Sequence, residues 1–131
     1  MKSLLLFVTL LCVVTLSSTS FVGSKAANAG KRQKATTTFN QPVKLQNVVL
    51  KGEYLFVHDD EAMARGEACT FVYKGNAPAK ENLVVSFHCI PAQHFKVSNF
   101  TVRTQTINGV DELREFQFAG DTEAHVVPDA R

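Results

Sequence analysis

"CTFVYKGNAPAKENLVVSFHC", residues 69–89, is the stretch from which the fold is read. Two runs rich in β-branched and aromatic residues, CTFVYK and LVVSFHC, flank a segment carrying Gly75, Asn76 and Pro78. That is the pattern of two antiparallel strands and their connection. Setting Lys74 opposite Val84 also sets Tyr73 opposite Val85, Phe71 opposite Phe87 and Cys69 opposite Cys89. One register therefore pairs apolar with apolar and cysteine with cysteine. Opposed Cα atoms in a non-hydrogen-bonded pair lie about 4.5 Å apart, within disulfide reach. The expectation is a hairpin stapled by a Cys69–Cys89 disulfide.

Working outward, the chain from Thr36 onward repeats this texture. Strands are expected near 36–40, 43–50, 53–58, 69–74, 83–90, 99–107, 112–118 and 124–127. Seven to eight short strands with regular turn signals argue an all-β fold, an antiparallel β-sandwich of immunoglobulin-like or related type. Pro42 belongs at an edge or bend, because it has no N–H for a ladder. One short helix fits "HDDEAMARG", residues 58–66: Asp59 or Asp60 can cap it, Glu61 complements the first-turn dipole, and Gly66 can close it.

The dipeptide Asn108–Gly109 marks a hairpin, but a two-residue loop with unbroken strands sets Val102 opposite Glu115 and Phe100 opposite Gln117. A three-residue loop with a bulge puts Phe100, Val102, Phe116 and Phe118 on one face, and a strictly alternating strand favours that arrangement.

The N-terminus reads as a secretory leader. Lys2 precedes an uncharged run of thirteen residues, Leu4 to Leu16, followed by small polar residues. A bilayer span needs about 20 apolar residues, so a span retained after cleavage is not expected. "AANAG" favours a cut after Ala29, while cuts after Ser20 or Ser24 remain open. The organisation read from this is a leader over 1–29, a flexible basic tail over 30–35 and one domain over 36–131. Removing 1–29 takes Lys2 and Lys25 from 14 basic residues and none from 12 acidic ones, leaving 12 of each. A neutral chain has no electrostatic footprint for nucleic acid, and the run Lys31, Arg32, Lys34 reads as solvated.

Candidate chemistry is sparse. An oxidising compartment favours bridging the two cysteines, Cys69 and Cys89, that follow the leader. A metal alternative uses His88 and His94, joined by His58 or His125. Neighbouring strand residues face opposite ways, so His88 and Cys89 are not expected to share an ion. Asp59, Asp60 and Glu61 could supply a carboxylate pair, but they lack the D-x-D-x-D-G spacing of a calcium loop. No nucleophile elbow, phosphate loop or nucleotide fingerprint is present, so no catalytic residue and no cofactor is implied. Asn99 begins an N-F-T sequon, which matters only where N-glycosylation operates.

Leu50, Gly52 and Tyr54 form an L-x-G-x-Y pattern, a turn glycine before a strand carrying a tyrosine, that resembles the tyrosine corner of immunoglobulin-like sandwiches, in which the hydroxyl bonds upstream backbone. With Phe39, Pro42 and Val43, residues 36–58 resemble small secreted bacterial β-rich proteins. That resemblance implies an exported sandwich domain and carries no activity. The functional expectation is a secreted or periplasmic non-enzymatic module that binds a protein or an envelope or extracellular polymer, or serves the envelope structurally. The alternative is a small secreted metal-binding protein using His88 and His94.

Export makes a direct prediction. Intact mass of the mature protein should lack residues 1 to about 29. A full-length chain fractionating with membranes would contradict the leader.

Overall fold

The computed structural model describes residues 30–130. The leader and its cleavage sites lie outside them. Among the described residues, eight strands form a single mixed sheet that curls into a half-barrel, with one short α-helix. The chain is all-β as expected, but the curl of one sheet replaces the packing of two.

Strands β1 (Arg32–Leu45) and β2 (Val48–Asp59) form a long antiparallel hairpin. Helix α1 (Asp60–Ala64) links β2 to β3 (Thr70–Lys74), which pairs with β4 (Leu83–Phe87). Strand β5 (Ile90–Gln93) follows, then β6 (Thr101–Ile107), β7 (Val110–Gln117) and β8 (Glu123–Val126). The sheet runs β4-β3-β2-β1-β7-β8-β5, with β6 on β7. Its two ends, β4 and β5, are joined by only His88 and Cys89, so that link carries the chain across the open seam.

Three expectations are corrected here. Arg32 to Ala35 are not a flexible tail: they are β1, paired with β2 from Arg32↔Asp59 to Ala35↔Phe56. Lys31 is held by an ion pair to Asp121, and Gln33 donates to the same carboxylate. The strand expected over 43–50 is interrupted by the hairpin turn at Gln46–Asn47, where Gln46 takes φ 50°. Finally, Gly52 is not a turn glycine. It sits inside β2 at φ 91°, opposite Phe39, where the β1–β2 register shifts. The shift places Asn40, Gln41 and Pro42 opposite the single residue Lys51, so Pro42 falls on a bulge where its missing N–H breaks no ladder.

The β3–β4 register differs by one residue from the expected one. Thr70 faces Phe87, Phe71 faces Ser86 and Val72 faces Val85, with an irregularity before Tyr73↔Leu83. A one-residue slip exchanges faces. Val72 and Phe87 enter the main core while Phe71 joins Leu55, Val57 and Tyr73 in a second cluster on the other face of β2. Both faces of β2 are therefore buried from Tyr54 to His58.

The β6–β7 hairpin satisfies both of its competing signals. Asn108 and Gly109, at φ 51° and 77°, form a two-residue loop between Ile107 and Val110, as the dipeptide favours. A bulge on β7 between Leu113 and Glu115 then resets the parity, so Val102 faces Phe116. The bulge lies in the strand and not in the loop. Phe116 and Phe118 are buried, with Phe100 and Val102 packed against them. Phe116 is fully buried, with ring centroids of Phe56, Phe87, Phe100 and Phe118 between 5.5 and 6.4 Å away.

Truncating Phe116 to alanine should destabilise the domain by about 3–5 kcal/mol in urea or guanidinium unfolding. A loss below about 1 kcal/mol would place Phe116 outside the core, against the observed packing.

A buried histidine–cysteine cluster at the sheet seam

Four chemically soft side chains converge where the two ends of the sheet meet. His58 enters from the end of β2. Even-numbered residues of that strand face the main core, so His58 follows Tyr54 and Phe56 inward. Cys69 lies just before β3, where its N–H donates to the Phe87 carbonyl at 3.0 Å. Cys89 occupies the β4–β5 link, and its N–H donates to Cys69 Sγ at 3.3 Å. His125 comes from β8, opposite Phe116, with the two rings stacked at 5.1 Å.

The ligand atoms of His58, Cys69 and Cys89 all lie within 4.8 Å of one another, and all three residues are buried. His125 Nδ1 stands 3.5 Å from Cys89 Sγ, and its ring centroid is 4.1 Å from that of His58. The two sulfurs are 3.2 Å apart and are free thiols. The expected disulfide partners thus stand side by side, with no bond between them in this structure. The one-residue register slip removes Cys69 and Cys89 from the paired strands, and backbone hydrogen bonds of the flanking segments bring them together instead.

The polar atoms of this cluster are poorly partnered. Neither ring nitrogen of His58 makes a hydrogen bond, nor does His125 Nε2. Asp60 Oδ1 approaches His58 Nδ1 to 3.1 Å, close enough for charge interaction but without hydrogen-bond geometry. Buried polar groups are normally satisfied, and each exception costs about 1–3 kcal/mol. Two imidazoles 4.1 Å apart with orphaned nitrogens beside two thiols are thus an unusual thing to bury.

Burial favours the neutral forms of His58, His125 and Cys89 without a cation. Burial pushes the His58 pKa below its ordinary 6.5, against the opposing pull of Asp60 and Asp59. Burial, then the nearby His58, lowers His125 to about 4. Desolvation and the hydrogen bond with Cys69 push the Cys89 thiol up to about 12. Such a thiol is no nucleophile, since reactive cysteines have lowered pKa values. A bound cation reverses that logic, because a coordinating thiol is deprotonated outright.

The other expected site residues lie elsewhere. His88 is exposed, with Nδ1 2.8 Å from the Glu67 carbonyl. His94 sits on Glu115, which also takes Arg103 at 2.7 Å, so it belongs to a surface ion network. Asp59 caps α1, accepting from the N–H groups of Glu61 and Ala62, which holds its carboxyl below the ordinary range. Glu61 accepts from the Gly30 N–H and Asp60 turns to His58, so the three carboxylates do not form a pair. Tyr54 hydroxyl accepts from the Lys51 N–H at 3.3 Å, the upstream backbone bond that the tyrosine-corner pattern implied, with Leu50 buried beside it. Sequence reasoning named His58 and His125 only as additional partners for His88 and His94. Their alternation inward with Phe56 and Val127 was the signal that could have separated them.

No protein-family model, curated protein or solved structure matches this chain.

The neutral buried imidazoles give a pH prediction for the reduced protein in chelator. Both histidines have lowered pKa values in the fold, so the unfolded chain takes up their protons first as pH falls. Stability is complete above the ordinary value of 6.5 and declines until His125 protonates in the fold at about 4. The His125 share of that loss should be of the order of 3 kcal/mol by linkage. Comparing H125F with the parent in urea at several pH values isolates it. Parallel pH profiles for the two proteins would contradict the buried neutral imidazole.

Proposed function

We propose that this protein is a small non-enzymatic metal-binding module in which His58, Cys69, Cys89 and His125 hold one zinc(II) or copper(I) ion. The observation that carries this reading is His58: fully buried, with Nε2 unpartnered, Nδ1 met only by the Asp60 carboxylate at 3.1 Å, and its ligand atom within 4.8 Å of two thiols. Two sulfur and two imidazole donors suit zinc and copper, whereas calcium and magnesium want oxygen. The metal alternative framed on His88 and His94 thus moves to a different set of residues.

Asp60 supports the same assignment. Ligating histidines commonly turn their second nitrogen toward a carboxylate, which orients the ring and raises its basicity. Asp60 stands 3.1 Å from His58 Nδ1, leaving Nε2 for the ion. The four ligands come from β2, the α1–β3 link, the β4–β5 link and β8, so an ion would tie together segments far apart in sequence. A closed four-ligand set is the arrangement of structural metal sites, which fits a binding or structural role better than catalysis. With the leader read at 1–29, the place of action in this proposal is the periplasm, cell envelope or extracellular space, and the partner there is a protein or an envelope polymer.

Metal analysis of the reduced full chain should find one equivalent of zinc or copper retained through gel filtration. Changing His58 to alanine or Cys89 to serine should abolish retention, and D60N should weaken affinity by about 10–100-fold. H88A and H94A should bind like the parent. Full occupancy in H58A, or loss in the His88 and His94 variants, would overturn the ligand set.

A further inference from the structure

The sulfur pair carries a second consequence, which rests on the metal reading above. We propose that Cys69 and Cys89 form a redox-gated lock on the site: as thiolates they bind metal, and as a disulfide they exclude it. The geometry is intermediate between these states. Two thiolates on a tetrahedral zinc, each at about 2.3 Å, stand roughly 3.8 Å apart. A disulfide holds its sulfurs at about 2.05 Å. The observed 3.2 Å lies between the two, so either state is reached by small movements.

The local structure permits those movements. Cys69 precedes β3 and Cys89 lies in the two-residue β4–β5 link, so neither belongs to a strand that must keep its ladder. Strands β4 and β5 occupy opposite ends of the sheet order and share no ladder, leaving the seam as the place where the chain can open. Both sulfurs are buried at rest, so an oxidant reaches them only through such opening.

The chemistry balances with a low-molecular-weight disulfide such as oxidised glutathione. Once the seam opens, water reaches the pair and lifts the desolvation that holds Cys89 as a thiol. One cysteine gives its proton to water, and the resulting thiolate attacks an oxidant sulfur, forming a mixed disulfide and releasing one thiolate. The second cysteine sulfur then displaces the other thiolate and closes the Cys69–Cys89 bond. The cysteine pair loses two electrons, the oxidant gains two, and the metal leaves with its oxidation state unchanged. His58 and His125 remain, but two imidazoles alone are half a ligand set.

The test compares zinc binding by the reduced and the oxidised full chain. The metal-free protein is incubated with oxidised glutathione, and bond formation is read as a loss of about 2 Da and as a Cys69–Cys89 linked peptide. Zinc affinity of each form is then measured by competition with a chromogenic chelator. The lock predicts a disulfide that forms, a fall in zinc affinity of more than about 100-fold, and recovery on reduction by dithiothreitol. Oxidised glutathione added to zinc-loaded protein should release zinc in step with thiol loss. Equal zinc binding by both forms, or thiols that never close, would overturn the lock while leaving the metal site standing. A reduced chain that binds no zinc and no copper would overturn both proposals.

Discussion

A buried imidazole must have something to bond, and the fold offers His58 a carboxylate near Nδ1 and no partner at Nε2. This constraint organises the molecule's centre. His58 is placed there by alternation along β2, and the same alternation that buries Phe56 leaves it no alternative direction. The sheet curls so that β8 brings His125 over it, and the seam link brings Cys89 beneath. Aromatic packing holds the arrangement from one side: Phe116 stacks on His125 and is itself surrounded by four phenylalanines. The hydrophobic core thus positions four donors and leaves Nε2 of both histidines without a partner.

The fold reaches that geometry through breaks in regularity more than through regular strands. The bulge at Asn40 to Pro42 and the bulge on β7 each reset which residues face inward. Without the second, Leu113 and Phe116 could not both enter the core, because they differ in parity. Without Phe116 on that face, His125 would lose its stacking partner across the β7–β8 ladder. Gln117, next along, is buried yet satisfied: it donates to the Phe95 and Asp121 carbonyls and accepts from Arg103. That contrast with His58 is informative, since this chain partners a buried amide fully a few residues from where it leaves imidazoles bare.

Much of the fold was legible because its signals are local. The all-β texture, the capping of α1 by Asp59, the closing glycine Gly66 at φ 73° and the shared face of Phe100, Val102, Phe116 and Phe118 follow from spacing alone. Registers were less legible. Phe71 and Phe87 look like a natural pair in sequence, yet the choice between burying them together or on opposite faces of the sheet depends on what covers the far side of β2. The run Arg32 to Ala35 read as a tail because its charge is visible and its partner, the end of β2, is not. The site was half legible. Proximity of Cys69 and Cys89 was expected, from a register that proved one residue off. His58 and His125 meet only through curvature, which no short pattern encodes.

The central claim is that buried donors of two kinds share one ion, and X-ray absorption at the metal edge addresses it most directly. The reduced full chain loaded with one equivalent of zinc should give a first shell of two sulfurs at about 2.3 Å and two nitrogens at about 2.0–2.1 Å. A shell made only of oxygen and nitrogen, with no sulfur, would place the ion on surface histidines and carboxylates and contradict the account.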